Sequence, residues 1–338
     1  MEEREITDIQ HKVTALLDEK RLKQAIDTLA GGIDQLQDWE LRTRFTEMQT
    51  AYRYMLDYMR QGMPDPDRER LHAELIGRCY IINDQIAVAR LTEHSTKVYC
   101  QMRRKYKNLA ALGGIYEMLK ENAANFAVTE NLPANECKSV RLQLSQEHER
   151  LLSELFGAIW SSTGWSKADT EMIDSIISDE EININDRATV VSAIILSALK
   201  CFEPIKIEAL CHIATNDCTT LAVRAITGII IALFQYEQRI AHSPTLKAAL
   251  DTLRDNPTVM RRIQTIQIQL LRCRETQKID RKMREEIIPA MMKNSHKLNC
   301  KLIVLLKIIG TIVKTVIPIK SQPMDIFFDG INIFCIFL

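Results

Sequence analysis

Short apolar runs separated by helix-capping residues fill the stretch from 183 to 253. Asp186, Pro204 and Asp217 each precede a run in which apolar residues recur every three or four positions, a spacing typical of amphipathic helices. Helices this short cannot each bury an apolar face alone, so they must stack on their neighbours. The pattern therefore predicts an α-solenoid of helical hairpins over residues 161–294.

Longer amphipathic stretches come first in the chain. Residues 5–29 have the spacing of a helical hairpin, which we expect to end at Gly31 and Gly32 because glycine commonly terminates helices. Asp38 then has the position of an N-cap for a longer helix that ends at Gly62.

The next apolar stripes extend over twenty residues or more. They predict two long helices between residues 67 and 125, and a third after the break at Asn131-Leu132-Pro133. Stripes of this length favour packing like that of a bundle or a coiled coil. We therefore expect a region of long helices over residues 1–160.

A loop separates these two predicted regions. Residues 160–165 have the composition of a loop, and Ser166 with Asp169 resembles a capping box at the start of the next helix. Because helix length drops sharply after this point, we expect a domain boundary here. The fold class expected for residues 1–294 is all-α, with long helices first and the solenoid second.

The tail from 295 to 338 differs in composition from everything before it. It is rich in Ile, Lys, Asn and Phe and contains no Ala, Arg or Glu, a composition that AT-rich codons give when they are read out of frame. One interpretation is therefore a frameshift product or premature stop, and the other is a genuine apolar C-terminal helix. Residues 302–319 reach the length of a membrane span. Lys307 and Lys314 within this stretch also allow a helix lying on a lipid surface.

Composition and charge narrow the function classes. The formal net charge is +0, so nothing in the overall charge favours nucleic acid or an acidic lipid surface. Nine cysteines lack a CxxC spacing, and the charged N-terminus has no apolar signal segment. We expect free thiols and a cytoplasmic protein.

Neither catalytic nor cofactor motifs occur, so the chain is predicted not to be an enzyme and to use neither metal nor cofactor. Cys211-His212 with Cys201 and Cys218 is the nearest approach to a zinc site, but the spacing is too wide and buried structural cysteine is the preferred interpretation. His148 lies among glutamates and could be tuned as a general base, although a charged helix face explains the same residues.

Four residues are the candidates for contact with a partner. Trp160 and Trp165 are aromatic anchors of the kind that dominate interfaces, and Arg103 with Arg104 belongs to a basic cluster over 103–107. For each group a structural role is the alternative: tryptophans packed between helices, and arginines on a solvated helix face.

Several short segments together resemble a known class of protein. They are Ile159–Trp165, Val191–Ser197, Cys201–Lys206, Val223–Gly228, Tyr236–Arg239 and Lys282–Pro289. As a set they resemble the N-terminal part of large bacterial helical-repeat proteins labelled tetratricopeptide-repeat proteins, over about residues 1–294. Residues 217–233 look HEAT-like. The resemblance implies helical-repeat architecture and no catalytic residue, and its longer relatives favour a truncation after Asn294.

The function expected from all this is a cytoplasmic protein-protein interaction scaffold of the α-solenoid type. Its partner would be a protein or peptide held in a groove or on exposed aromatic residues. Two alternatives remain open: a membrane-peripheral protein docked through residues 302–319, and a nucleic-acid-binding solenoid that uses the basic cluster over 103–107.

Overall fold

All regular secondary structure in the described residues is helical. The computed structural model describes residues 3–34, 36–62, 66–106, 109, 112–129 and 134–289. These ranges contain fourteen α-helices and no strand. The predicted all-α class is therefore confirmed. The tail over 295–338, including the predicted membrane segment 302–319, lies outside the described residues.

The helices differ in length along the chain. They are α1 Glu3–Asp18, α2 Leu22–Ile33, α3 Trp39–Arg60, α4 Arg68–His94, α5 Val98–Lys105, α6 Leu112–Val128, α7 Ala134–Ser161, α8 Lys167–Ser178, α9 Ile184–Lys200, α10 Pro204–Ala214, α11 Thr219–Gln235, α12 Glu237–Ile240, α13 Pro244–Arg254 and α14 Pro257–Lys282, followed by a π-helical turn Met283–Ile287. Up to residue 161, the longest helices are α3, α4 and α7. The later helices α8 to α13 each have 17 residues or fewer.

α4 is the helix around which α1, α2, α3 and α5 pack. This 27-residue helix contacts α1, α2, α3 and α5. Its buried positions include Leu75, Cys79, Ile82 and Ile86, which recur every three or four residues and therefore form one stripe. Because α4 has neighbours on several sides, it also buries polar positions outside that stripe. It is the central element of this region.

Later helices pack mainly on helices near them in the sequence. α9 contacts α7, α8, α10 and α11, and α10 contacts α8, α9, α11 and α13. Gly228 on α11 lies so close to α9 that an added Cβ would be 2.4 Å from the Ile195 Cγ1 atom. A glycine at this point therefore permits the close approach of the two helices.

Residues Met1–Arg262 form one compact unit, and Ile263–Leu338 forms a second. Within the second unit, the described part is the C-terminal portion of α14 and the π-helical turn. The expected domain boundary near residue 160 falls inside the first unit, at the end of α7. It coincides with the change in helix length, and a separate folding of 1–160 and 161–294 stays a prediction.

Two of the predicted helix ends are wrong. α2 does not stop at its glycines but continues through both of them to Ile33. Gly32 is buried, and a Cβ there would lie 3.4 Å from the Ile86 Cγ2 atom of α4. The glycine therefore allows close helix packing at this position instead of ending the helix.

The second long helix expected within 67–125 is in fact two helices. α5 ends at Lys105, where Tyr106 leaves the helical conformation with φ −121° and ψ 81°, and α6 begins at Leu112. Tyr106 and Leu109 are buried in the connection. The apolar spacing continued across the break because both side chains are buried in the core although neither belongs to α5 or α6.

Several predicted helix boundaries agree with the structure to within a few residues. Asp38 caps α3 by accepting a hydrogen bond from the Leu41 N–H, and Ser166 with Asp169 forms the expected capping box of α8. α10 and α14 begin at the expected prolines. α9 is capped by Asn183 rather than Asp186. The loop expected over 160–165 begins two residues late, because α7 continues to Ser161.

Candidate functional site

The two tryptophans proposed as partner anchors are packed within the fold. Trp165 is only 8% exposed, and its Nε1 donates a hydrogen bond of 2.7 Å to the Ser162 Oγ atom. Trp160 is half-buried and packs edge-on against Tyr99, with ring centroids 5.2 Å apart. Their aromatic surface therefore stabilises the region where α7 ends.

Arg103 connects α5 to the segment that follows α7. Its guanidinium donates to the Ser161 carbonyl oxygen at 2.7 Å and to the Thr163 Oγ1 atom at 2.6 Å. Charge-assisted bonds of this kind hold an irregular segment in place. The contact explains why an arginine occurs here without requiring an external phosphate.

The neighbouring basic residues also bond within the protein. Arg104 donates from Nε to the Thr92 carbonyl oxygen at 2.8 Å. Lys105 forms an ion pair of 2.9 Å with Glu154. This carboxylate accepts a hydrogen bond from the lysine ammonium and thereby raises the pKa of the lysine. Lys107 lies outside the described residues. The sequence alone could not reveal these bonds, because every acceptor comes from another part of the chain.

A buried polar network brings together α4 and two later segments of the chain, around residues 203 and 239. We use this name for Asp84, Gln85, Glu203, Lys206 and Arg239. Asp84, on α4, is 2% exposed. Its Oδ2 atom accepts from Arg239 at 2.6 Å and from the backbone N–H of Phe202 at 3.0 Å. Residues from three distant parts of the sequence are thereby joined.

The second half of the network is the pair formed by Glu203 and Lys206. Lys206 is fully buried, and its Nζ atom lies 3.1 Å from the Glu203 Oε2 atom and donates to the Ser162 carbonyl oxygen at 2.9 Å. Glu203 Oε1 accepts from the Gly164 N–H at 2.6 Å and from Gln85 at 2.8 Å. Burial opposes ionisation of Glu203, but the Lys206 charge and these hydrogen bonds outweigh it and lower the pKa.

Aromatic rings enclose the cations of this network. The Arg239 guanidinium lies 5.0 Å from the Tyr80 ring centroid and 4.9 Å from that of Tyr236, and the Lys206 ammonium lies 5.4 Å from the Trp165 ring. Such cation–π contacts add stability when the cation is removed from water. Because Asp84, Glu203 and Lys206 are buried, the network joins helices within the core.

The cysteines and histidines proposed for chemistry do not converge. Burial raises the pKa of Cys201 well above its usual value, and raises that of Cys211 to about 12, which disfavours the thiolate, the reactive form, at both positions. His212 is exposed instead, 3.6 Å from Asp174. Within the described ranges, no group of three His, Cys, Asp or Glu side chains is arranged to hold a metal ion.

His148, in contrast, lies in a cleft. Its Nε2 atom is 3.1 Å from the Oδ2 atom of Asp186. Residues of α6, α7 and the segment 180–187 line this cleft, which has a volume of about 590 Å³. Volumes in this range are typical of ligand pockets. The sequence indicated the histidine but not its partner, which is 38 positions away along the chain.

A line of side chains on α3 faces away from the core, and we call it the outer face of α3. It comprises Trp39, Thr43, Thr46, Thr50, Tyr54 and Tyr58. Their spacing of three or four residues places them on one side of the helix, opposite the buried Leu41, Phe45 and Met48. Trp39 is 75% exposed and Tyr54 63%. Uncharged side chains therefore form the centre of this face, with aromatic rings toward both ends.

No helix in the described part of the chain is long and apolar enough to cross a bilayer. No protein-family model, curated protein or solved structure matches the chain. The resemblance to tetratricopeptide-repeat proteins therefore stays a prediction, as do the partner and the compartment.

Proposed function

We propose that the protein is a non-catalytic, cytoplasmic interaction scaffold that binds a helix of another protein along the outer face of α3. The observation that carries the proposal is the exposure of Trp39, Tyr54 and Tyr58 on one side of a helix whose opposite side is already buried. Large aromatic side chains seldom remain exposed together unless a partner covers them.

The physical reasoning begins with the stability of α3 itself. Leu41, Phe45, Met48 and Met55 anchor it in the core, and the exposed aromatics lie outside that anchor. Each ring offers a large apolar area that loses little conformational entropy on binding. Evolution commonly uses such rings as the energetic centre of an interface.

The shape of the face favours a helical partner. Its side chains advance by four, three, four, four and four residues from Trp39 to Tyr58, close to the seam along which two helices pack. The threonines in the middle are small enough to admit apolar side chains of a partner helix. Arg42, Glu47 and Arg53 are exposed on the flanks, where charges set orientation and register.

The order of helix contacts supports a scaffold of stacked helices. α8 to α11 pack mostly on their first and second neighbours along the chain, as the units of a solenoid do. The nucleic-acid alternative has less support, because Arg103, Arg104 and Lys105 bond within the protein.

Photo-crosslinking in cells tests this function. A benzophenone amino acid is placed at Tyr54, and the control has it at Lys247, an exposed position on α13. We expect a discrete adduct from position 54 only. Adding Trp39→Ala to that chain should remove most of the adduct, since truncating an aromatic anchor of an interface weakens binding by about 2 kcal/mol or more.

Two outcomes contradict the proposal. The first is that position 54 yields no adduct beyond those of position 247. The second is that the adduct survives Trp39→Ala combined with Tyr58→Ala at unchanged yield, in a variant whose circular dichroism matches that of the parent chain.

A further inference from the structure

We infer that the cleft beside His148 binds a short basic segment of peptide, through both its main-chain amide and its cationic side chain. We call it the His148 cleft, lined by Leu119, Asn122, Ala123, Phe126, Ser145, His148 and residues 180–187. It lies on different helices from the outer face of α3. The inference therefore stands or falls separately from the proposed scaffold function.

The first observation is a buried acceptor that lacks a donor. Asn122 is only 6% exposed. Its Nδ2 atom donates to the Leu144 carbonyl oxygen at 3.2 Å, which fixes the orientation of the side-chain amide. Its Oδ1 atom is buried and has no hydrogen-bond partner among the described residues. A buried polar atom left unpaired is costly, and an N–H group from a ligand in the cleft would remove that cost.

The second observation is a buried donor that lacks an acceptor. Arg187 also lines the cleft and is half-buried. It donates from one terminal nitrogen to the Ile177 carbonyl oxygen at 3.2 Å, whereas its Nε atom has no acceptor within the described chain. An orphan acceptor and an orphan donor in one cleft are complementary to a peptide unit, which presents both an N–H and a C=O group.

The third observation is the charge of the lining. The lining contains three carboxylates, those of Glu180, Glu181 and Asp186, and one guanidinium, that of Arg187. Lys120, just outside the lining, pairs with Glu181 at 3.3 Å and offsets part of the charge. The excess of carboxylates favours a lysine or arginine side chain over an acidic one.

Apolar side chains complete the site. Leu119 and Ile182 are buried in its floor, and Phe126 is partly exposed at its edge. The methylene groups of a lysine side chain can pack on such a surface while the ammonium reaches a carboxylate. The His148 Nε2 atom lies 3.1 Å from the Asp186 Oδ2 atom. This contact fixes the position of the carboxylate, which can still accept a further hydrogen bond.

Isothermal titration of the full chain with three probes tests this inference. The first is the capped pentapeptide acetyl-Leu-Lys-Ala-Lys-Leu-amide, and the second has glutamate in place of both lysines. The third is 1,5-diaminopentane, which offers ammonium groups without a peptide amide. We expect saturable 1:1 binding of the lysine peptide, and binding at least about tenfold weaker for the other two.

Variants separate the site from non-specific attraction. The double variant Glu180→Gln with Glu181→Gln changes exposed side chains only. It should weaken binding of the lysine peptide by about tenfold. The matched control is Glu171→Gln, an exposed glutamate on α8 outside the lining, and it should leave binding unchanged. Asn122→Leu should abolish the advantage of the peptide over the diamine, because it removes the orphan acceptor.

Each contrary result overturns the inference. No saturable binding of the lysine peptide shows that the cleft is not a peptide site. Equal affinity for the glutamate peptide shows that its charge does not select the ligand. Equal affinity for 1,5-diaminopentane shows that a free amine, and not a peptide, is the ligand. An equal loss in Glu171→Gln shows non-specific electrostatic attraction.

Discussion

Replacing the fully buried Lys206 by methionine tests how the buried polar network stabilises the protein. Lys206→Met retains an unbranched side chain of similar length, so the change leaves little cavity. It removes the ammonium that lies 3.1 Å from Glu203 and donates at 2.9 Å to the Ser162 carbonyl oxygen. The carboxylate of Glu203 then remains buried without its cation.

The expected cost follows from that uncompensated charge. Breaking a buried ion pair by removal of one partner lowers the free energy of unfolding by about 3–5 kcal/mol. Gln85 and Gly164 still donate to Glu203 in the variant, which places the expected loss near the lower end, about 3 kcal/mol. This is a large share of the stability of a typical domain.

The pH dependence supplies an independent check. In the parent protein the pKa of Glu203 is held below its usual 4.5, so its contribution to stability is present above that pH and is lost as pH falls through the folded-state pKa. Without Lys206, burial dominates and the pKa of Glu203 rises. The variant then takes up a proton on folding. The amount by which its free energy of unfolding falls short of the parent's should therefore be smaller at pH 5 than at pH 7.5.

A second variant shows whether charge is the cause. Lys206→Met combined with Glu203→Gln keeps an oxygen that can accept from Gln85 and Gly164 but carries no charge. We expect it to recover about 1–2 kcal/mol relative to Lys206→Met alone. Urea unfolding followed by circular dichroism measures all three proteins. The reasoning is refuted if Lys206→Met costs less than about 1 kcal/mol, or if its deficit is the same at both pH values.

Four further changes can be measured by the same unfolding assay. Gly228→Ala places a Cβ 2.4 Å from Ile195 Cγ1 and should cost about 1–3 kcal/mol. Gly31→Ala, in open space within α2, should instead stabilise by about 0.5–1 kcal/mol, and destabilisation there would contradict the packing. Asp38→Ala removes the α3 cap and should cost about 1 kcal/mol; no loss would mean that the cap is not formed. Burial lowers the pKa of His242 below 6.5. The folded state therefore binds fewer protons, stability falls as pH drops below about 6.5, and His242→Gln should flatten that fall; an unchanged profile would contradict it.

Local chemistry made much of the fold predictable. Asp38, Ser166 and Pro204 lie where they were expected, at or next to the first residue of a helix. Each acts on backbone groups within three residues of itself, so its effect can be inferred without knowledge of the rest of the chain.

Glycine and apolar spacing were less reliable guides. α2 continues through Gly31 and Gly32 despite their low helix propensity, because Gly32 packs against α4. The apolar spacing of α5 continued beyond its end through Tyr106. In both cases packing against another element, which the local sequence does not contain, decided the outcome.

The candidate sites show the same contrast between local signals and contacts that form only on folding. Arg103 was a plausible contact for a partner, but its acceptor at Ser161, 58 positions along the chain, becomes a neighbour only on folding. His148 was noticed in the sequence, whereas its contact with Asp186 was not. Trp39 is far more exposed than Trp160 and Trp165, and the sequence alone does not show that difference.

By itself, the sequence determined that the described chain is helical and where most of its helices begin, because periodicity and capping act within a few residues. Tertiary structure alone decided which charges meet in the buried polar network, which aromatic rings remain in water and where a cleft opens. Those outcomes depend on contacts between residues up to 155 positions apart, as in the bond of Arg239 to Asp84. No local pattern encodes such a distance.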